Sequence, residues 1–221
     1  MTRVLIIGGH GKIALLLAPL LKEAGMEVTS VIRHAHQAEA VAAAGARAVV
    51  HDVEHASVAE LAELFTGQDA IIWSAGAGGG DPERTYAVDR DAAIASMDAA
   101  VAAGVPRYIM VSYLGARLDH GVPPENSFFA YAEAKAAADA HLRGITDLAW
   151  TILAPGALTL GEATGLIDPT PALERDPADP GKTSRANVAL VAAAVVDHPK
   201  TIMRTIAFSD GALSIGQVLS P

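Results

Sequence analysis

Residues 4–14 read VLIIGGHGKIA, and the run continues into LLLAPLLKEAG. Four apolar residues lead into glycines at positions 8, 9 and 11, and a small Ala14 follows inside a helical stretch. Such a segment is a buried strand that enters a tight turn and leaves as a helix. The N–H groups of the turn and the positive end of the helix dipole then converge on one spot, which suits a pyrophosphate. Gly8 permits the turn, Gly11 lets the backbone approach phosphates, and Ala14 lets the helix lie close to the sheet. The spacing G-x-x-G-x-x-A is a variant of the dinucleotide fingerprint. His10, Lys12 and Ile13 fall in the same turn and helix start and join Gly8 and Gly11 as expected contacts. Lys12 also brings positive charge near the phosphates.

Outward from this segment, short β-branched runs alternate with Ala-rich helical stretches. The strand runs are MEVTSVI, ARAVV, DAIIWSA, RYIMVS and LAWTIL. Helices are predicted over 38–44, through VAELAELF, over 84–103 and over 129–143. Gly25, Gly45, Gly67 and Gly104 stand where helices should end, as C-terminal capping residues do. Strand–helix alternation at this spacing implies right-handed βαβ units and an α/β fold, a doubly wound parallel sheet in one domain spanning 1–221. Residues 156–183 carry four prolines and five acids with little periodicity. They are predicted to form a long loop over the carboxyl ends of the strands, where ligands bind in such sheets. SRANVALVAAAVVDHP then reads as a helix capped by Ser184, and TIMRTIAFSDG as a final strand.

Composition narrows the function classes. The chain has 221 residues, 51% of them hydrophobic but only 5% aromatic, which suits parallel strands covered by Ala-rich helices. A net charge of −9 without a basic patch argues against nucleic acid as a partner. There are no cysteines, so disulfide and thiolate chemistry are excluded. The apolar stretches are too short to span a bilayer and no leader pattern precedes one, so no membrane partner and a cytoplasmic location are expected.

Three groups of residues carry chemistry. The second strand ends VIR, with Arg33 where an NAD-binding protein holds the ribose 2′-OH on an acid. A guanidinium pairs with a 2′-phosphate where a carboxylate would repel it, so NADP is expected over NAD, with NAD still possible. The third strand ends in HDVE; there Asp52 is placed to accept from the adenine amine while Val53 packs on the ring. His51 and His55 are four apart but start in a strand, where that spacing does not converge, and no metal site is expected. After the fourth strand, Ser74, Ala75 and Gly76 open a run of small residues that lets a cofactor come close. Last, Tyr131 and Lys135 share one face of a helix by their i,i+4 spacing. An ammonium near the phenol is expected to lower the tyrosine pKa toward a useful range. Ser112 ends the preceding strand, where its hydroxyl could polarise a carbonyl.

In these motifs and their order the chain resembles an atypical short-chain dehydrogenase/reductase, an NAD(P)-binding Rossmann protein of the epimerase-like or NmrA-like type. The stretches that carry the resemblance are GGHGKIA, VIR, HDVE, WSAG, VSYLGA, YAEAK and LAWTILAPGALT. It implies Tyr131 as general acid/base, Lys135 as the residue that holds the nicotinamide ribose and tunes Tyr131, and Ser112 as the one that orients the substrate. Pro155, of the Pro-Gly that follows the sixth strand, is placed against the coenzyme by the same likeness. The chain departs from the pattern at three points: Tyr113 follows Ser112 instead of Ser/Thr, Asp89 and Asp91 stand where a helper Asn is expected, and Ala154 replaces an Arg. The implied function is an NADP(H)-dependent oxidoreductase or epimerase acting on a small carbonyl or hydroxyl compound, as a monomer or homodimer. Two alternatives share the coenzyme site: a non-catalytic NADP(H)-binding redox sensor, and a flavin or biliverdin type of reductase that needs no tyrosine acid.

Overall fold

The computed structural model describes residues 1–171, 174 and 181–220. Strands β1 (Arg3–Ile7), β2 (Glu27–Ile32), β3 (Arg47–Val50), β4 (Ala70–Trp73), β5 (Arg107–Val111) and β6 (Ala149–Pro155) are parallel and stand in the order 3-2-1-4-5-6. A seventh parallel strand, β10 (Arg204–Asp210), extends the sheet beside β6. The order reverses between β1 and β4, and a crevice opens at that point above the carboxyl ends of the strands.

Alternation in β1 explains the two layers. Val4 and Ile6 point to one face, where they meet α1 (Lys12–Glu23) and α7 (Arg185–Val195). Leu5 and Ile7 point to the other, where α3 (Val58–Phe65), α5 (Ala93–Ala102) and α6 (Phe129–Gly144) lie. Both faces are dry, so these strands read as continuous apolar runs rather than alternating ones. The small α2 (Ala38–Ala43) covers the β3 edge. Gly25, Gly45, Gly67 and Gly104 all have positive φ, between 66° and 87°, as the capping role requires.

Three local predictions need correction. The segment 156–183 is not one long loop: it contains β7 (Ala157–Thr159), β8 (Leu166–Asp168) and β9 (Lys182–Ser184). β7 and β9 pair in parallel, and β8 joins the main sheet antiparallel to β10 with Ile167 fully buried. Asn187 of α7 holds this segment, accepting from the N–H groups of Thr164 and Gly165 at 3.0 and 2.9 Å and donating to Asp210 at 2.7 Å. Strands of three residues are too short to show a period. The remainder of that predicted loop, 172–173 and 175–180, lies outside the described residues. β10 is also not the last element, because β11 (Leu213–Ser214) and α8 (Ile215–Leu219) follow it.

The helix expected over 84–103 is composite. Asp81 caps a short α4 (Pro82–Thr85), a π-helical segment runs over Tyr86–Ala92, and α5 follows. Such wide turns recur at functional positions, and this one carries Asp89, which is buried. Among the described residues no helix is long and apolar enough to cross a membrane.

Candidate active site

The crevice begins at the glycine turn. Gly8 has φ +81°, and a Cβ there would fall 2.6 Å from the Ala75 Cα. A Cβ on Gly9 would overlap that of Ser30 at 2.4 Å. The turn after β1 is therefore pressed against both the β2 strand and the loop after β4. Gly11 is the N-cap of α1 and offers no side-chain cap, which leaves the first-turn N–H groups of the helix to an outside acceptor. Gly8, His10, Gly11, Arg33, Asp52, Val53, Ser74, Ala75 and Gly76 line one cleft of about 310 Å³. Ile13 and Lys135 line a second, of about 400 Å³, which shares Ser74, Ala75 and Gly76 as a wall. Lys12 is exposed and lies outside both clefts. Pro155 is buried at the end of β6, where its carbonyl accepts from the Leu114 N–H at 2.7 Å, and it also lies outside them.

Charged groups gather at the outer end of the first cleft. Arg33 and Arg84 both reach Glu54 Oε2, each at 3.4 Å. Asp52 accepts from the Glu54 N–H at 3.2 Å and from His55 Nδ1 at 2.9 Å. The hydrogen bond to His55 holds the Asp52 carboxyl below the usual carboxylate range, and its partner His55 is raised in turn. His51 and His55 do not converge: His55 turns to Asp52, whereas His51 Nε2 is buried without a partner among the described residues.

The second cleft holds Ser112, Tyr131, Lys135 and Asp89. Lys135 is 1% exposed; its ammonium donates to the Val111 carbonyl at 2.9 Å and to Met110 Sδ at 3.3 Å. Asp89 accepts from the Ala77 N–H at 2.9 Å, and its Oδ1 would lie 3.1 Å from a Cβ on Gly76. The small residues after β4 thus leave space for this carboxylate as well as for a ligand. The rings of Tyr131, Tyr113 and Phe128 pack together with centroids 5.2–5.4 Å apart; Tyr131 and Phe128 line the cleft, and Tyr113, where a small hydroxyl residue was expected, backs them from outside it.

Two expectations about this cleft are corrected. The Tyr131 pKa is raised, not lowered, first by burial and then by the negative charge of Asp89. The Lys135 ammonium is directed at the β5 backbone and acts on Asp89 and Asp139, whose own pKa values burial pushes up against it. Burial likewise pushes Tyr113 up to about 12. In addition, Ser112 Oγ donates its hydrogen to Asp139 Oδ2 at 2.6 Å. A hydroxyl has one hydrogen, so while Ser112 donates to Asp139 it presents acceptor lone pairs to the cleft.

Asp139, Glu54 and Arg84 are the residues that the sequence reading missed. Asp139 had a signal: it follows Lys135 by four residues on an otherwise Ala-rich helix, so it belongs to the same buried face. Among the described residues no group of three His, Cys, Asp or Glu side chains is placed to hold a metal.

A glycine turn at the sheet's switch point, a bare helix N-terminus and a two-part cleft fit a dinucleotide, and comparison with known proteins agrees. Residues 8–199 match the family model described as NAD(P)H-binding. The chain belongs to this NAD(P)H-binding family. The NAD(P)H-binding chain is 33% identical over 213 residues to a UPF0659 protein of Saccharomyces cerevisiae, covering 95% of this chain and 93% of that one. It is 34% identical over 220 residues to Bacillus subtilis YhfK, named an uncharacterized sugar epimerase, covering 98% of each. A Bacillus halodurans structure provisionally named as an NAD-dependent epimerase/dehydratase superposes with a TM-score of 0.89 at 31% identity, covering 99% of both chains.

Proposed function

We propose that this protein is an NADP(H)-dependent oxidoreductase or epimerase whose substrate is a small carbonyl or hydroxyl compound. The observation that carries the reading is the shared wall Ser74–Gly76, which makes one continuous groove of two clefts. One end of the groove presents the glycine turn and Arg33, and the other presents Tyr131 and Lys135. Gly8, Gly11 and the first turn of α1 would hold the pyrophosphate and Arg33 the 2′-phosphate, and Lys135, with one ammonium hydrogen left after Val111 and Met110, would hold the nicotinamide ribose. When bound, the nicotinamide supplies or accepts the hydride.

The chain's own residues handle the proton. Burial and Asp89 keep Tyr131 protonated at neutral pH, so it donates to a substrate oxygen as negative charge develops there. Ser112, whose hydrogen is held by Asp139, accepts from a substrate hydroxyl and orients it. The sequence homologue named as a sugar epimerase supports a hydroxylated substrate. A second reading, an NADP(H)-binding sensor without turnover, is favoured by that same Ser112–Asp139 bond, which leaves no serine donor for a carbonyl.

Calorimetry with both coenzymes tests the shared core of these readings. NADPH is expected to bind more tightly than NADH. Arg33→Ala should weaken NADPH by about 10- to 100-fold, as loss of a charge-assisted pair does, and NADH by less than about 3-fold. Equal losses would remove the 2′-phosphate assignment, and no binding of either coenzyme at millimolar concentration would remove the function. NADPH oxidation with a panel of small carbonyls then separates enzyme from sensor.

A further inference from the structure

Three crossovers deliver one charge each to the outer end of the coenzyme groove. Arg33 follows β2, Glu54 follows β3 and Arg84 lies in α4. Glu54 Oε2 lies 3.4 Å from Arg33 Nη1 and 3.4 Å from Arg84 Nε. The Glu54 side chain is only 15% exposed, so this pairing is partly shielded from water. The two guanidinium groups are held differently. Arg84 is anchored a second time, because its Nη1 donates to the Ala77 carbonyl. Arg33 is 43% exposed, and its other bond is from Nε to the neighbouring His34 ring at 3.1 Å. Arg33 is the arm that can swing; Arg84 is the fixed post.

From this arrangement we infer that Glu54 is a specificity-determining residue for the coenzyme, an internal anion that competes with the ribose 2′-phosphate for Arg33. The inference rests on the proposed role of Arg33. Glu54, with Asp52 acting on Arg33 from farther off, offers that guanidinium one carboxylate charge at contact distance, whereas a phosphate monoester carries close to two negative charges at neutral pH. A 2′-phosphate therefore displaces Glu54 from Arg33 and remains near its carboxylate. A 2′-hydroxyl is uncharged and does neither. Glu54 thus penalises NADPH and spares NADH, and it holds the preference between them closer to balance than Arg33 alone would set it. Arg84 limits the penalty, since it keeps the displaced carboxylate paired.

The test is Glu54→Gln, which removes the charge and keeps an amide oxygen as acceptor for both guanidinium groups. NADPH, NADH, adenosine 2′,5′-bisphosphate and AMP are titrated by calorimetry into the wild type, Glu54→Gln and Arg33→Ala, with thermal melts confirming that each is folded. The inference expects Glu54→Gln to tighten NADPH and the bisphosphate by about 3- to 10-fold, as expected for removing a like charge at a half-shielded site. NADH and AMP should stay within about 2-fold. An unchanged NADPH-to-NADH ratio, or a loss of NADPH affinity, makes Glu54 a strut for the arginines and overturns it. The two levels separate cleanly. If Arg33→Ala is selective against NADPH while Glu54→Gln shifts nothing, only this inference fails. If Arg33→Ala is not selective, the 2′-phosphate assignment fails first and takes the inference with it.

Discussion

The two ends of β5 bury charge in opposite ways. At its start, Arg107 is buried and donates to the carbonyls of Ala149, Val195 and Val196 and to the hydroxyls of Thr151 and Thr201. Two of those carbonyls close α7, where a cation also meets the negative end of the helix dipole. Burial lowers the Arg107 pKa to about 10, which still leaves it charged at neutral pH. Just past the other end of β5, Ser112, Lys135, Asp139 and Asp89 share the lining of the second cleft or its back wall. There Lys135 has two acceptors, one of them a sulfur, and Asp139 Oδ1 has no partner among the described residues. Both clusters are withdrawn from water and bear a desolvation cost. A fully paired cluster returns that cost as stability, and a partly paired one keeps hydrogen-bonding capacity and shifted pKa values for a ligand.

This contrast can be broken by experiment. Arg107→Met removes five donors and orphans buried carbonyls. It should lower the unfolding free energy by about 3–5 kcal/mol, measured by urea denaturation, as several buried acceptors left unpaired would, while coenzyme affinity of the folded protein stays within about 2-fold. A matching loss of coenzyme affinity would show that the two ends of the strand are not separate in role. Tyr131→Phe should do the reverse: stability and NADPH affinity are retained, and turnover on any carbonyl that the wild type reduces falls about 10²- to 10³-fold. Unchanged turnover would move the protein to the class of reductases that use no tyrosine acid.

The smallest effect sharpens the contrast. Burial raises the Asp139 pKa above its unfolded value. Its contribution is therefore most favourable below the unfolded pKa, near 3.8, and is lost as the pH rises through the folded pKa. Asp139→Asn abolishes that loss. It should melt a few degrees higher than the wild type at neutral pH, with the gain shrinking toward acid in a series of thermal melts. A variant that melts lower at neutral pH would show Asp139 to be as well paired as Arg107.

Much of the fold was legible because its signals are local. Gly8, Gly11 and Ala14 mark the turn, and β1 to β6 are long and apolar enough to stand out against Ala-rich helices. β7, β8 and β9 have three residues each and are held by Asn187 and by pairing with distant strands, which no window of sequence contains. The site divides in the same way. Tyr131 and Lys135 were found through one-helix spacing. The direction of the Tyr131 pKa was misread because Asp89 arrives from a different element. Glu54 and Arg84 stand thirty positions apart and meet only across two crossovers.

The π-helical segment Tyr86–Ala92 has a consequence for how this groove could change over time. A wide turn accommodates one extra residue within a helix that is otherwise regular. Excising a single residue there would let the backbone relax to ordinary α geometry, with both flanks held near their places and the side chains inside the segment re-aimed. Asp89 would then swing away from the Ala77 amide while the helix itself survived. A one-codon deletion, with no substitution at all, would be enough to re-aim the acid that braces the loop after β4.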